Sequence, residues 1–283
     1  MKKIALTSLI AMFAAGGASA ANVIDGNPLY MPKAGHFYSE TDLSSHTGKQ
    51  DIKSWALAEE FGYGITNKLA VNIATEIVDE RSFDQWAWTD LSLGLAYRMV
   101  DAGHWKADLL GQYLVTPIWG NHMSFLKAGT SDFETGTDYM WAVGVRGGYV
   151  ASNWTIAGHA LFEYMNTESF NWSEEQGKRG VHALVLGLDG QYVINSHWSV
   201  LAGVEYMGIV DNQWRGVPGE AAKVKNAGAW TGELGVNYNI DAAKYVGLYV
   251  SGDMQHKVKD DVAQSAWKVQ NGFGFGAKFG VDF

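Results

Sequence analysis

The 283-residue sequence contains no cysteine and only 4 prolines. Without cysteine there is no disulfide framework, so stability has to come from burial or from a surrounding bilayer. Beyond the N-terminus there is no apolar run of about eighteen residues, so no transmembrane helix is predicted. Acidic residues outnumber basic ones by 30 to 21, which argues against a nucleic acid partner. The 8 histidines show no metal-ligand spacing, and we predict neither a metal site nor another cofactor.

The first twenty residues have the layout of a secretory signal peptide. Lys2 and Lys3 precede an apolar run over residues 4–15, and Ala18-Ser19-Ala20 forms a small-residue cleavage site. The apolar run is too short to span a bilayer. We therefore expect residues 1–20 to be a cleaved signal peptide, residues 21–34 to form a periplasmic N-terminal stub, and residues 35–283 to form the folded domain.

Alternation of apolar and polar residues runs through almost all of that domain. In "LAVNIATEI", for example, Leu69, Val71 and Ile73 fall on one face, and Asn72 and Glu76 on the other. This period of two is typical of strands with one apolar and one polar face. About twelve strands are predicted, over residues 35–44, 52–64, 69–79, 86–99, 104–118, 137–150, 154–166, 179–193, 197–210, 228–240, 245–257 and 269–283.

The connections between these strands alternate between short and long. Short turns rich in Asn, Asp, Gly and Ser follow the second, fourth, sixth, eighth and tenth strands. The other connections are longer and polar, the largest at residues 119–136, 167–178 and 211–227. Such strict alternation indicates an antiparallel up-and-down β-barrel with turns at one end and loops at the other. We therefore predict an all-β transmembrane barrel with short periplasmic turns and longer extracellular loops.

Aromatic residues recur on the apolar face where strands meet the short turns. Aromatic residues make up 13% of the chain. Rings with an apolar body and a polar tip sit best where hydrocarbon meets water, and they form girdles around membrane barrels. Ordinary cross-strand pairing near hairpins is the alternative. The predicted girdle comprises Tyr63, Tyr97, Trp105, Tyr149, Trp154, Tyr192, Trp198, Tyr238 and Tyr245.

The sequence ends on "NGFGFGAKFGVDF", in which large apolar residues alternate with glycines and charges. Phe275, Phe279, Val281 and the final Phe283 share one face. In this ending the chain resembles Gram-negative outer-membrane β-barrel proteins. That resemblance implies an outer-membrane location in contact with lipid. It also implies that these four residues are recognised by the barrel-assembly machinery. Whether identical barrels associate is left open.

In a membrane barrel the polar face of each strand lines the lumen. The inward residues predicted on this basis carry more acids than bases, so a conducting lumen would favour cations. Asp138, Asp282 and His159 belong to the same face, and the sequence leaves the charge of His159 open. The alternative is that the charges pair and plug the interior. The predicted lumen charges are Glu76, Asp90, Arg98, Lys106, Asp108, Arg146, Glu163, Asp189, Glu205, Glu233, Asp253 and Lys278.

Three functions fit such a barrel. The first is a porin-like channel for passive diffusion of small hydrophilic solutes. The second is a non-conducting barrel with a structural or surface-interaction role. The third is an outer-membrane hydrolase: His197 and Ser199 are two residues apart as in outer-membrane phospholipases. Omptin-like proteases need acid pairs and a histidine at the extracellular rim, where we expect His256 and the acids Asp79, Glu80, Asp84, Asp260 and Asp261. His197 falls at the short-turn end, so we favour a channel and predict no enzyme.

Overall fold

The computed structural model describes residues 27–47, 53–79, 86–116, 138–170, 176–215, 224–225, 228–255, 258–260, 266–267 and 272–283. No helix within these ranges is long and apolar enough to cross a membrane. The described residues form strands β1 (Phe37–Thr47), β2 (Lys53–Thr66), β3 (Leu69–Asp79), β4 (Trp86–Ala102), β5 (Trp105–Thr116), β6 (Asp138–Val150), β7 (Trp154–Phe170), β8 (Gln176–Val193), β9 (Trp198–Arg215), β10 (Val224–Lys225), β11 (Gly228–Asn239), β12 (Lys244–Gln255), β13 (Val258–Asp260), β14 (Ala266–Trp267) and β15 (Gly272–Asp282).

Twelve of these strands close an antiparallel barrel, in the order β1-β15-β12-β11-β9-β8-β7-β6-β5-β4-β3-β2. The remaining three, β10, β13 and β14, form a separate small sheet. At the closing seam, Phe37 N donates to Phe283 O at 2.8 Å, and Phe283 N donates to Phe37 O at 2.9 Å. Closure gives each of the twelve barrel strands a paired neighbour on both sides, as a bilayer requires of the part that it surrounds. The predicted all-β, twelve-stranded barrel is confirmed.

Five short turns lie at one end of the barrel, which we call the short-turn end. They join β2 to β3, β4 to β5, β6 to β7, β8 to β9, and β11 to β12. Gly103 in the second turn has a φ of +60°, a left-handed conformation that suits glycine. The other connections lie at the opposite end, which we call the loop end. The predicted alternation of short and long connections is therefore present.

At the loop end, three strands are longer than the alternation of apolar and polar residues predicted. β7 continues to Phe170, β8 begins at Gln176 and β9 ends at Arg215, so these strands take in parts of the predicted loops 167–178 and 211–227. Thr167–Phe170 pair with Gln176–Arg179, and both segments are mostly polar. A hairpin that extends beyond the hydrocarbon has water on both faces, so its sequence carries no alternation. The strands β10, β13 and β14 were not predicted, because segments of two or three residues are too short to show a period of two.

The outer face of the barrel is apolar, with an aromatic belt near each end. At the short-turn end Tyr149 lies 5.1 Å from Trp105 and 5.3 Å from Trp154, between ring centroids. A second belt near the loop end was not predicted; it includes Tyr139 and Tyr164, whose ring centroids are 6.3 Å apart. Eight of the predicted girdle residues face outward at the short-turn end: Tyr63, Tyr97, Trp105, Tyr149, Trp154, Tyr192, Trp198 and Tyr238.

Tyr245 does not belong to this belt, and its assignment was wrong. Only 2% of Tyr245 is exposed, and its hydroxyl donates to Glu40 Oε2 inside the barrel at 2.5 Å. β5, β7 and β9 each begin with their belt tryptophan, but β12 begins one residue earlier, at Lys244. Successive side chains point to opposite faces, and Val246, Leu248 and Val250 are exposed on the outer face, so Tyr245 faces inward together with Tyr249.

The last strand exposes its large side chains and buries its glycines. Phe275 is 47% exposed and Phe279 42% exposed on the outer face, Phe283 is exposed, and Val281 is half-buried. On the inner face, a Cβ at Gly276 would overlap the Tyr249 ring, and one at Gly280 would overlap the Tyr245 ring. Glycine is required at these two positions because a tyrosine from β12 lies directly over each of them.

Candidate functional site in the barrel interior

Residues 27–36 enter the lumen at the short-turn end. Leu29 is 1% exposed and Pro32 is equally buried, among side chains that point inward from the strands. Gly35 N donates to Gly64 O at 2.7 Å, and Gly64 N donates to His36 O at 3.0 Å, which fixes the segment against β2. The described part of the predicted periplasmic stub is therefore not outside the barrel, and that expectation was wrong. We call residues 27–36 the N-terminal plug.

Three charged side chains on adjacent strands hold the plug. Arg98 on β4 and Arg146 on β6 both bind Asp108 on β5, with Nε–Oδ1 at 2.7 Å and Nη2–Oδ2 at 2.5 Å respectively. Asp108 is completely buried. Arg98 Nη2 also donates to Leu29 O at 2.7 Å, and Arg146 Nη2 lies 3.5 Å from Tyr30 O. Two guanidinium groups share one carboxylate, so their spare donors can bind the carbonyls of the plug.

The plug also reaches the opposite wall. The Tyr30 hydroxyl donates to Asp282 Oδ2 on β15 at 2.9 Å, and its ring packs edge-on against Tyr38 with centroids 6.3 Å apart. β15 is six strands from β6 around the barrel, so Tyr30 bridges the full width of the lumen. The plug therefore crosses the interior rather than following one wall.

Tyrosines and acids form the next layer along β1, β12 and β15. Tyr38 donates to Glu60, which also accepts from Asn72 Nδ2 at 2.9 Å. Tyr249 donates to Asp42 Oδ1 at 2.9 Å. Lys278 Nζ lies 3.9 Å from Asp42 and 3.6 Å from Glu233, and 4.8 Å from the centre of the Tyr249 ring. Glu40, Asp42, Glu60, Tyr38 and Tyr249 were not among the predicted site residues, although the period of two could have placed them once β1 was in register.

His159 on β7 lies between two carboxylates. Its Nδ1 is 3.2 Å from Asp189 Oδ2, and its Nε2 is 3.0 Å from Glu205 Oε2. Because a carboxylate lies beside each ring nitrogen, a proton is favoured on both nitrogens. An imidazole that carries both protons is the charged imidazolium. Glu163 lies four residues further along β7 on the same face; it is 1% exposed, and its Oε2 has no hydrogen-bond partner among the described residues. This part of the lumen therefore keeps an excess of acceptors.

A patch of the inner wall is apolar, which the predicted polar lining did not anticipate. Buried side chains on β5 to β9 pack together in the half of the barrel nearer the loop end, and the partly buried Leu110 packs against them. Such a cluster excludes water from this side of the lumen. Its members are Leu114, Met140, Leu161, Ala183, Val185 and Met207.

Two small cavities remain beside the plug. One, of about 70 Å³, is lined by Asp189, Glu205, Glu233 and Lys278 and reaches Pro28 of the plug. The other, of about 80 Å³, is lined by Tyr30, Pro32 and the strands β2 to β6. Each could hold a few water molecules, since a water occupies roughly 30 Å³ in the liquid. We call the first one the acidic cavity.

Most of the predicted lumen charges that the structure describes face inward. Glu76, Arg98, Asp108, Arg146, Glu163, Asp189, Glu205, Glu233, Asp253 and Lys278 do so. Lys106 instead lies at the short-turn rim, where its Nζ pairs with Asp101 at 2.8 Å. The side chains of Asp90 and Asp138 lie outside what the structure describes.

The described residues of the hydrolase hypothesis do not come together in one site. Ser199 is completely buried, whereas His197 is exposed at the turn with Nδ1 3.1 Å from Asn239 O. Asp79 is completely buried rather than exposed at a rim. Glu80, Asp84, His256 and Asp261, and the side chain of Asp260, lie outside the described residues. In the ranges that are described, no group of three or more His, Asp or Glu side chains could hold a metal ion.

No protein-family model matches the sequence, and no curated protein matches it. Among solved structures, it is similar to the translocator domain of the autotransporter NalP from Neisseria meningitidis, with a TM-score of 0.58, 12% identity and 98% of each chain covered. It is also similar to the COG4313 outer membrane channel from Pseudomonas putida F1, with a TM-score of 0.52, 13% identity, and coverage of 89% of this chain and 97% of that chain. At these identities the likeness concerns the fold alone.

Proposed function

We propose that this chain, which has the fold of Gram-negative outer-membrane β-barrels, is a narrow passive channel for small hydrophilic solutes and prefers cations. Residues 1–20 would direct export, and lipid would surround the apolar outer face. Phe275, Phe279, Val281 and Phe283 would be read by the barrel-assembly machinery. The single observation that carries the channel hypothesis is the acidic cavity beside the plug.

Charge in the acidic cavity supports the cation preference. Asp189, Glu205 and Glu233 face it with Glu40, against Lys278 as the basic residue of its lining. Carboxylates in a confined, poorly screened space attract cations and repel anions over several ångströms. Glu205 and Glu233 retain exposed side-chain fractions of 15% and 27%, so both can meet a passing ion.

The side chains that line the described lumen as a whole also carry more negative than positive charge. The inward positive groups are Arg98, Arg146, Lys278 and the imidazolium of His159, with Lys106 at the rim. Two of these, Arg98 and Arg146, are already engaged with Asp108 and the plug. The inward acids outnumber them: Glu40, Asp42, Glu60, Glu76, Asp108, Glu163, Asp189, Glu205, Glu233, Asp253 and Asp282.

Ion selectivity of the purified full-length protein in planar lipid bilayers tests the proposal. Under a salt gradient we expect conductance steps, and their reversal potential should have the sign of a cation-selective channel. The double variant Glu205→Gln/Glu233→Gln should move that potential toward zero, because two carboxylates leave the path. Asp241→Asn is the matched control: it removes a carboxylate that is about half exposed in the β11–β12 turn, and the potential should stay unchanged.

Two results would contradict the proposal. Silent membranes, with a protein shown by circular dichroism to be a folded barrel, would remove the channel. An unchanged reversal potential in the double variant would remove Glu205 and Glu233 from the path. The first result would favour a non-conducting structural barrel, which the plug and the apolar inner cluster also fit.

We propose that the chain is not a hydrolase acting through Ser199. A serine nucleophile needs access to substrate and an adjacent base. Complete burial of the Ser199 side chain denies that access. A lipase assay in which the wild type releases fatty acid and Ser199→Ala does not would overturn this.

A further inference from the structure

Two of the five short turns carry the same arrangement of a histidine beside outward aromatic rings. Each histidine immediately precedes the tryptophan that begins the next strand, and each stacks on a tyrosine of the neighbouring strand, with ring centroids 5.1 Å apart in one turn and 5.7 Å apart in the other. Both imidazoles are exposed. We call these the turn-histidine sites: the first comprises His104, Trp105 and Tyr149, and the second comprises His197, Trp198 and Tyr238.

A backbone carbonyl fixes the ring of each histidine. His104 Nδ1 lies 2.6 Å from Val150 O, and His197 Nδ1 lies 3.1 Å from Asn239 O. The same residues are also joined through their backbones, since Val150 N donates to His104 O at 2.8 Å and Asn239 N donates to His197 O at 2.7 Å. A carbonyl oxygen can only accept, so Nδ1 carries the proton. The neutral ring then has its lone pair at Nε2.

The Nε2 atom of each turn histidine has no hydrogen-bond partner among the described residues. Within the same ranges neither ring lies beside a carboxylate, unlike His159, which lies between Asp189 and Glu205. Nothing on the described surface therefore favours a second proton on these rings, and Nε2 is an acceptor. Each site presents one unused acceptor next to two aromatic rings.

Both sites lie at the depth of lipid headgroups. The aromatic belt marks the boundary between hydrocarbon and water. Each histidine is one residue, about 3.3 Å, beyond its belt tryptophan. Val100 near the first turn is 42% exposed and Ile194 in the second is 56% exposed, which fits turns that lie against the bilayer surface.

We propose that each turn-histidine site binds the headgroup of a phospholipid that carries a primary ammonium group, in the leaflet at the short-turn end. An ammonium group offers N–H donors to Nε2, and the faces of tryptophan and tyrosine rings attract cations. Trp105 is 60% exposed and Trp198 is 44% exposed, so both rings are accessible to the headgroup. The acyl chains of the same lipid lie along the apolar outer wall. This binding is independent of whether the lumen conducts.

The other short turns set the expected number of sites. In all five turns, the residue before the strand accepts a backbone hydrogen bond from the next strand, so the five places are equivalent. The other three places are occupied by Lys68, Asn153 and Ala243, which have no imidazole. We therefore expect two such lipids per barrel.

Native mass spectrometry of the purified full-length protein in a non-ionic detergent tests this. Phosphatidylethanolamine, phosphatidylcholine and phosphatidylglycerol with identical acyl chains are added in equal amounts. We expect up to two molecules of phosphatidylethanolamine to stay bound, several-fold more than of the other two. The headgroup of phosphatidylcholine is a cation without an N–H donor, and that of phosphatidylglycerol has no ammonium group.

Substitution of the histidines separates the acceptor from the aromatic rings. His104→Phe and His197→Phe each keep a ring on the tyrosine but remove Nε2, so each should lose one bound phosphatidylethanolamine, and the double variant should lose both. His36→Phe is the matched control at the same end of the barrel. His36 precedes β1, and its Nδ1 lies 3.8 Å from Asp282 Oδ1 instead of a carbonyl, so its loss should leave the number of bound lipids unchanged.

Several results would overturn the proposal. Equal retention of phosphatidylethanolamine and phosphatidylcholine would leave only the aromatic rings as the binding group. A preference for phosphatidylglycerol would give Nε2 a proton and a phosphate partner. Undiminished binding by the double variant, shown to be folded by its heat-dependent gel mobility, would remove the histidines. Displacement of the bound lipid by an equal concentration of glycerophosphoethanolamine, which has the same headgroup without acyl chains, would show that the ligand is not a membrane lipid.

Discussion

The two sides of the lumen use their charges in different ways. On the β4–β6 side, Asp108 is fully buried and contacts both Arg98 and Arg146 at 2.5–3.1 Å. On the side formed by β11 and β15, Lys278 is 3.6 Å from Glu233 and 3.9 Å from Asp42, beyond direct hydrogen-bonding distance. Short, saturated contacts fix a structural element, while long contacts beside a cavity leave room for water and ions.

This difference follows from what each side has to hold. The plug presents backbone carbonyls to the β4–β6 side, and guanidinium groups are suited to bind them. The acidic cavity contacts the plug only through Pro28, which lacks a backbone donor. Asp189 and Glu205 on that side flank His159, and Glu233 lies 3.6 Å from Lys278, while all three carboxylates still line the cavity. The comparison teaches that the β4–β6 side holds the backbone of the plug, that Tyr30 anchors the plug to Asp282 on the opposite wall, and that the acidic cavity forms the candidate path.

Deletion of residues 27–34 should have the largest effect. It removes the segment that crosses the lumen, so single-channel conductance in planar bilayers should rise several-fold. The cation preference should persist, because Glu205 and Glu233 stay in place. An unchanged conductance would show that the plug does not obstruct the path, and the contrast between the two sides would lose its functional meaning.

Asp108→Asn should destabilise the barrel strongly. It leaves Arg98 and Arg146 buried without their carboxylate, and breaking a buried ion pair costs about 3–5 kcal/mol. The control is Asp101→Asn on the same strand pair, where the pair with Lys106 is exposed and worth about 0–1 kcal/mol. Urea unfolding in lipid vesicles, followed by tryptophan fluorescence, measures both. Equal losses for the two variants would contradict the structural role of the Asp108 cluster.

The barrel and its inward charges could be predicted because one physical rule governs both. Hydrocarbon outside and water inside impose a period of two on each strand, so residues such as Arg98 and Glu205 are placed by parity alone. Tyr245 was misplaced because it was assigned by analogy with the tryptophans that begin β5, β7 and β9. It has the parity of Tyr249 and Asp253, which the same rule places inside.

The plug could not be predicted, because the rule does not apply to it. Residues 27–36 contain no alternation, and their burial depends on partners that come from distant strands. Arg98, Asp108 and Arg146 were each placed inward, but their meeting on neighbouring strands depends on register, which alternation does not specify. Glu59 on β2 shows the converse failure: it shares the outer face with the exposed Leu57 and Phe61, and an acid on that face contradicts the pattern that identified the strands.

Gly276→Ala tests the packing on the side of the lumen that forms the candidate path. Its effect should be smaller than that of the plug deletion or of Asp108→Asn. The added Cβ would overlap the Tyr249 ring, so Tyr249 has to move away from Asp42 and Lys278. Overpacking of this kind costs about 1–3 kcal/mol.

Gly111→Ala is the matched control for this substitution. A Cβ at Gly111 on β5 meets nothing within 4 Å, so its effect on the free energy of unfolding should stay within about 0.5 kcal/mol. The same urea titration in vesicles measures both alanine variants. If Gly276→Ala proved as mild as Gly111→Ala, Tyr249 would have room to move, and the path would be wider at β12 and β15 than the contacts of Tyr249 indicate. A marked loss would mean that tyrosine packing sets the width of the path on this side, while carboxylates set its selectivity.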